Sequence, residues 1–96
     1  MPKLVVHDSD RTFLLDLEAD ETLVVGRGTR CEIPVHAPRA SRRHCRVVPL
    51  GGGHGIEDLG STNGTTVNGA PFPDVQALAD GDVIDAGGCR IVYRIH

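Results

Sequence analysis

Apolar residues in this chain fall in short runs rich in Val, Ile and Leu, bounded by Gly, Pro, Asn, Asp and Ser. Few runs reach helical length, so the period is that of strands and turns. Strands are predicted over 4–7, 12–17, 22–26, 32–35, 44–50, 55–59, 65–67, 82–86 and 89–95. Pro34 cannot donate to a ladder and demotes its run to a sheet edge. In 44–50 the alternation turns one face inward and leaves Arg46 near solvent. Asn68-Gly69 is a favoured two-residue hairpin turn, and Gly87-Gly88 joins the last two strands. The glycine-rich stretch 51–55 is predicted to be a flexible hairpin connection. It is no phosphate-cradling loop, because neither Gly-Lys-Ser/Thr nor a helix follows. Only 74–80 offers a helical turn. Strands every 8–12 residues with turns between them describe an all-β sandwich or barrel.

Ninety-six residues leave room for one core, so residues 1–96 are expected to be a single domain. With two Phe, one Tyr and no Trp, that core must be aliphatic. The few aromatics also remove the stacking platforms that single-stranded nucleic acid needs. A net charge of −3 argues against general affinity for nucleic acid or anionic membranes. Charge distribution changes the picture more than the total. Arg27, Arg30, Arg39, Arg42, Arg43 and Arg46 fall in one stretch where only Glu32 opposes them. Such a cluster in an acidic chain points to a small anion site or to a solvated charged loop. Cys31, Cys45 and Cys89 are odd in number and widely spaced, which disfavours a disulfide framework or structural zinc. Each is expected to act as a small apolar residue in a reducing compartment. No signal peptide or membrane span is read at the N-terminus, and a cytoplasmic location is the default expectation.

The chemistry sits in three segments: Gly26-Arg27, Ser41-Arg42-Arg43-His44, and Asp58 to Gly69. Arg27 offers a planar fork with a permanent charge, beside a Gly26 that lets other groups approach. Ser41 supplies a hydroxyl and a backbone N–H, Arg42 a second cation, and Thr62 a hydroxyl. Asn63 can bond both sides of an extended peptide backbone. Together they suit a phosphate and the backbone beside it. Ser41, His44 and Asp58 can also be drawn as a hydrolase triad, but no nucleophile elbow accompanies them, so no enzyme is expected. The five His and three Cys show no spaced ligand pair, so no metal or cofactor is expected.

The ordered set Gly26-Arg27, Ser41-Arg42-Arg43-His44, Asp58-Leu59-Gly60-Ser61-Thr62-Asn63-Gly64-Thr65, Val67-Asn68-Gly69 and Leu78-x-x-Gly81-Asp82-x-Ile84 resembles a forkhead-associated (FHA) domain across nearly the whole chain. The resemblance implies a two-sheet β-sandwich of about 11 strands with phosphopeptide-binding loops at one end. It implies a phosphothreonine-dependent interaction module, an adaptor or regulator downstream of a Ser/Thr protein kinase, whose partner is a threonine-phosphorylated protein or peptide. By position, Arg27, Ser41 and Arg42 would bond the phosphate, while Thr62 and Asn63 would hold the peptide. His44 would brace the binding loops, and Gly26, Gly64 and Asn68 would keep their shape. Arg39 would favour an acidic side chain three residues after the phosphothreonine. The rival reading is a module that docks a partner, or itself, without phosphate, using a sheet face.

Overall fold

The computed structural model describes residues 1–95. Among these, ten strands form two five-stranded sheets. They are β1 (Lys3–His7), β2 (Thr12–Asp16), β3 (Leu23–Gly26), β4 (Ile33–Pro34), β5 (Cys45–Leu50), β6 (Gly53–Asp58), β7 (Thr65–Val67), β8 (Val75–Ala77), β9 (Val83–Ala86) and β10 (Cys89–Arg94). One sheet runs β2-β1-β10-β9-β7 and the other β4-β3-β5-β6-β8. Ten strands stand in place of the expected eleven, and the two-sheet sandwich is as expected. No helix among the described residues is long and apolar enough to cross a membrane.

The alternating pattern sorts residues between core and solvent. Leu4 and Val6 of β1, Ile84 of β9, and Ile91 and Tyr93 of β10 point inward from one sheet. Val25 of β3, Val47 of β5 and Ile56 of β6 meet them from the other. Burying each aliphatic side chain is worth about 1.5–3 kcal/mol. One polar contact crosses this core. Tyr93 Oη lies 3.0 Å from His54 Nδ1, and His54 Nε2 lies 3.1 Å from the Glu18 carbonyl. The carbonyl requires a proton on Nε2, so Nδ1 accepts from the tyrosine hydroxyl. Burial raises the Tyr93 hydroxyl above its ordinary value of 10.0.

Three local expectations are corrected. The connection over 51–55 shrinks to Gly51 and Gly52, which take φ of 54° and 83°, and Gly53 already belongs to β6. The buried His54 anchors that strand start. At Gly55 a Cβ would come within 2.8 Å of Leu50 Cδ2 and 3.0 Å of Val75 Cγ1, so a larger residue there would push these two side chains aside. The stretch 74–80 holds no helical turn; its centre is the edge strand β8, paired with β6. Cys45 and Cys89 are buried core residues, and burial pushes each thiol up to about 12. Cys31 is only half buried, and its thiol donates to the Arg42 carbonyl at 3.0 Å.

Other readings hold. Pro34 lies on an edge strand, since β4 pairs only with β3, in parallel. Asn68 and Gly69 both take positive φ, 53° and 83°, as the predicted hairpin turn requires. The ends of β3 and β6 and the starts of β5 and β7 lie at one end of the sandwich, where their loops cluster.

Candidate functional site

The loop after β3 and the loop before β5 are laced together by backbone. Arg27 N donates to Ser41 O, and Gly28 N to Arg42 O, each at 3.0 Å. This close approach explains Gly26: a Cβ there would strike the Arg42 carbonyl. The glycine makes room for backbone rather than for ligand, and its φ needs no special freedom. Arg27 Nε donates to Ala40 O, which fixes the side chain and leaves its two terminal nitrogens free to face solvent. Arg42 is also exposed.

His44 is fully buried under these loops. Its Nδ1 accepts the Ser41 N–H at 3.0 Å, and its Nε2 lies 2.8 Å from Gly64 O. These partners set a neutral ring with the proton on Nε2, donating to Gly64. Its own backbone bonds Val25 O and Leu59 N, at 2.8 and 3.0 Å. One residue thus holds three segments in register. The backbone N–H of Ser41 is consumed in this bracing and is not available to a ligand, contrary to the sequence reading. The hydroxyl is. Ser41 Oγ accepts the Thr62 N–H at 3.1 Å, which leaves its proton to donate elsewhere.

Thr62 and Asn63 are exposed on the loop between β6 and β7. Asn63 Nδ2 donates to Arg39 O at 2.7 Å, tying that loop to the one carrying Ser41 and leaving its carbonyl oxygen open. Gly64 takes φ of 80° with nothing near a virtual Cβ, so it is needed for its backbone angle. Asn68 braces a neighbouring turn: its side chain donates to Asp82 Oδ1 and accepts from Val83 N, each at 2.9 Å. Arg39 is exposed beside the site. The structure therefore brings Arg27, Arg39, Ser41, Arg42, Thr62 and Asn63 to one surface, with Gly26, His44 and Gly64 beneath or beside it.

Sequence reasoning passed over one organiser. Asp58 Oδ2 accepts the N–H groups of Gly60 and Ser61, each at 3.0 Å. Its Oδ1 accepts the hydroxyls of Ser61 at 2.5 Å and Thr65 at 2.7 Å. Burial pushes this carboxyl upward, but the four bonds outweigh burial and hold it below the ordinary 3.8. An Asp followed by Gly and Ser two and three residues on is the signal that could have found it.

The triad drawn from Ser41, His44 and Asp58 does not form. His44 takes the serine N–H rather than its hydroxyl, and Asp58 bonds Ser61 and Thr65 rather than the imidazole. Asp8, Asp10 and His36 come together near the β1–β2 turn. Asp8 is occupied by the N–H groups of Ser9, His36 and Ala37, and Asp10 by the His36 ring. This cluster fastens the turn to the segment leading into the site.

A basic surface built from three loops on a rigid sandwich end defines a domain for non-covalent recognition of an anionic partner. The family model for the FHA domain matches residues 23–87, and the chain belongs to that family. It is 41% identical over 88 residues to the FHA domain-containing protein FhaA of Mycobacterium tuberculosis, covering 92% of this chain and 16% of FhaA. It is similar to a solved structure from a structural and functional analysis of phosphothreonine-dependent FHA domain interactions. There the TM-score is 0.82 at 38% identity, over 99% of this chain and 96% of the other. A crystal structure of the FhaA FHA domain complexed with the intracellular domain of Rv3910 matches with a TM-score of 0.82 at 38% identity. That match covers 98% of this chain and all of the other, 100%.

Proposed function

We propose that this domain binds threonine-phosphorylated proteins in the cytoplasm, as a non-catalytic adaptor or regulator downstream of a Ser/Thr protein kinase. The observation that carries the reading is the convergence of the Arg27 fork, the unspent Ser41 hydroxyl proton and Asn63 on one loop surface. A phosphothreonine brings a charge of about −1.5 to −2 and three acceptor oxygens. Arg27 and Ser41 hold the phosphate, Arg42 adds a phosphate or backbone contact, and Thr62 and Asn63 hold the peptide. With Asn63 Nδ2 committed to Arg39 O, its open carbonyl is the group that receives a peptide N–H. Residues 1–96 act as one binding unit.

The test is a titration of an oriented phosphothreonine peptide library against wild type and Arg27→Ala. Binding is expected to require the phosphate and to weaken about tenfold or more in the variant, the worth of a charge-assisted bidentate contact. Folded wild type that ignores the phosphate would instead support docking through a sheet face. Arg39 stands beside Asn63 with its side chain exposed and sets a preference for an acidic residue three positions after the phosphothreonine. A peptide array with no acidic preference there would remove that assignment.

A further inference from the structure

We propose that the binding end holds a second anion subsite, built by Arg30 and Arg43, so that its preferred ligand is a peptide carrying a second phosphate near the first. The inference rests on the phosphothreonine reading above and extends it. Next to Arg27 and Arg42 the surface sinks into a hollow of about 560 Å³ walled by Arg27, Gly28, Thr29, Arg30, Arg42 and Arg43. It runs on into a second recess of about 220 Å³, which shares Gly28, Arg30 and Arg43 and adds Val24, Cys31 and Glu32. Ser41, Thr62, Asn63 and Arg39 lie outside both walls.

The walls carry four guanidiniums and one carboxylate, so the net charge is four minus one, or three positive. Among the described residues no carboxylate lies within ion-pair distance of any of the four arginines. The one carboxylate, Glu32, accepts the Val24 N–H at 2.7 Å, and this bond, with the positive field of Arg43, holds its pKa below the ordinary 4.5. A single phosphothreonine supplies about −1.5 to −2 charges and is matched by Arg27 and Arg42. Arg30 and Arg43 then share the hollow with Glu32 as the single opposing charge, and together they outnumber it. Like charges that line one hollow repel, and an anion that enters between them offsets the repulsion.

An extended chain advances about 3.3 Å per residue, so phosphates two to four residues apart lie about 7–13 Å apart. The planar arginine forks suit a phosphate better than a carboxylate, since three oxygens can be shared between them. The backbone bond from Gly28 N to Arg42 O and the Cys31 thiol bond to the same carbonyl tie the two loops bearing these arginines. The backbone that carries Arg30 and Arg43 is therefore tied to the backbone that carries Arg27 and Arg42.

The experiment measures dissociation constants for peptides with one phosphothreonine and for matched peptides with a second, two to four residues before it or two or four after it, leaving out the third place after, which Arg39 reads. Glutamate at the same places forms a separate arm. At one spacing the second phosphate is expected to tighten binding about tenfold at low salt, with less gain from glutamate and less at high salt. Arg30→Ala/Arg43→Ala is expected to bind the singly phosphorylated peptide like wild type and to lose the gain. Single-phosphate binding with no gain at any spacing would overturn this inference alone. A gain that survives in the double variant would also overturn it. No binding of any phosphopeptide by folded wild type would overturn both this and the reading beneath it.

Discussion

Replacing His44 separates the parts of the bracing. The ring is fully buried and holds two hydrogen bonds, to Ser41 N–H and Gly64 O. His44→Leu keeps the volume roughly and deletes both bonds. Each is worth about 0.5–1.5 kcal/mol net. The sum is about 2 kcal/mol. His44→Ala also removes the packed ring and leaves a void, which brings the cost to about 3–4 kcal/mol. For a domain of this size each kcal/mol moves the melting midpoint by about 4–8 °C. The Leu variant should therefore melt roughly 8–16 °C below wild type, and the Ala variant further below. Thermal unfolding by circular dichroism reads both. Phosphopeptide affinity of the Leu variant, measured well below its midpoint, should also fall, because the loops bearing Ser41 and Gly64 lose their common anchor. A Leu variant that melts with wild type and binds as tightly would refute the reasoning, since the ring would then be filler rather than brace.

Asp58→Ala should cost about 2 kcal/mol at neutral pH, because two hydroxyls and two N–H groups lose a charged acceptor. The wild-type carboxyl titrates below 3.8 in the folded state, so its contribution is full above about pH 5 and fades as pH falls through the folded value. Denaturant unfolding of both proteins should converge toward acid pH; a gap that holds constant below pH 3 would count against it. Gly26→Ala should destabilise by about 1–3 kcal/mol and weaken phosphopeptide binding, because its Cβ displaces the Arg42 carbonyl. An alanine variant with unchanged denaturant midpoint and affinity would contradict that packing.

Most strands were legible because turn chemistry punctuates them: Asn68-Gly69 and Gly87-Gly88 announce hairpins from residue type alone. What failed depended on distant partners. Residues 53–55 look like linker, yet His54 is drawn into the core by Tyr93 and Glu18, far away in sequence. The edge strand β8 has an exposed Val75 and no inward stripe, so only its pairing with β6 makes it a strand. The site residues were legible as an ordered set, since Arg27, Ser41 and Asn63 need only reach one end of a sandwich. Their division of labour was not. That the Ser41 N–H is spent on His44, or that Arg30 and Arg43 share a hollow with Arg27, is a matter of loop geometry that no spacing reveals.

The pairing of β1 with β10 sets how such a domain is mounted. Lys3 stands opposite Arg94, while His7 stands opposite Arg90, toward the loops. Lys3 and Arg94 thus stand side by side, about 5 Å apart, at the pole away from Arg27 and Asn63. Polypeptide joined at either end, or at both, would enter and exit through that one pole. The domain can be inserted into a larger protein as a stalked head, its grip on a ligand mechanically uncoupled from its tethers. A pull on the two tethers would load the β1–β10 ladder before it reached the loops.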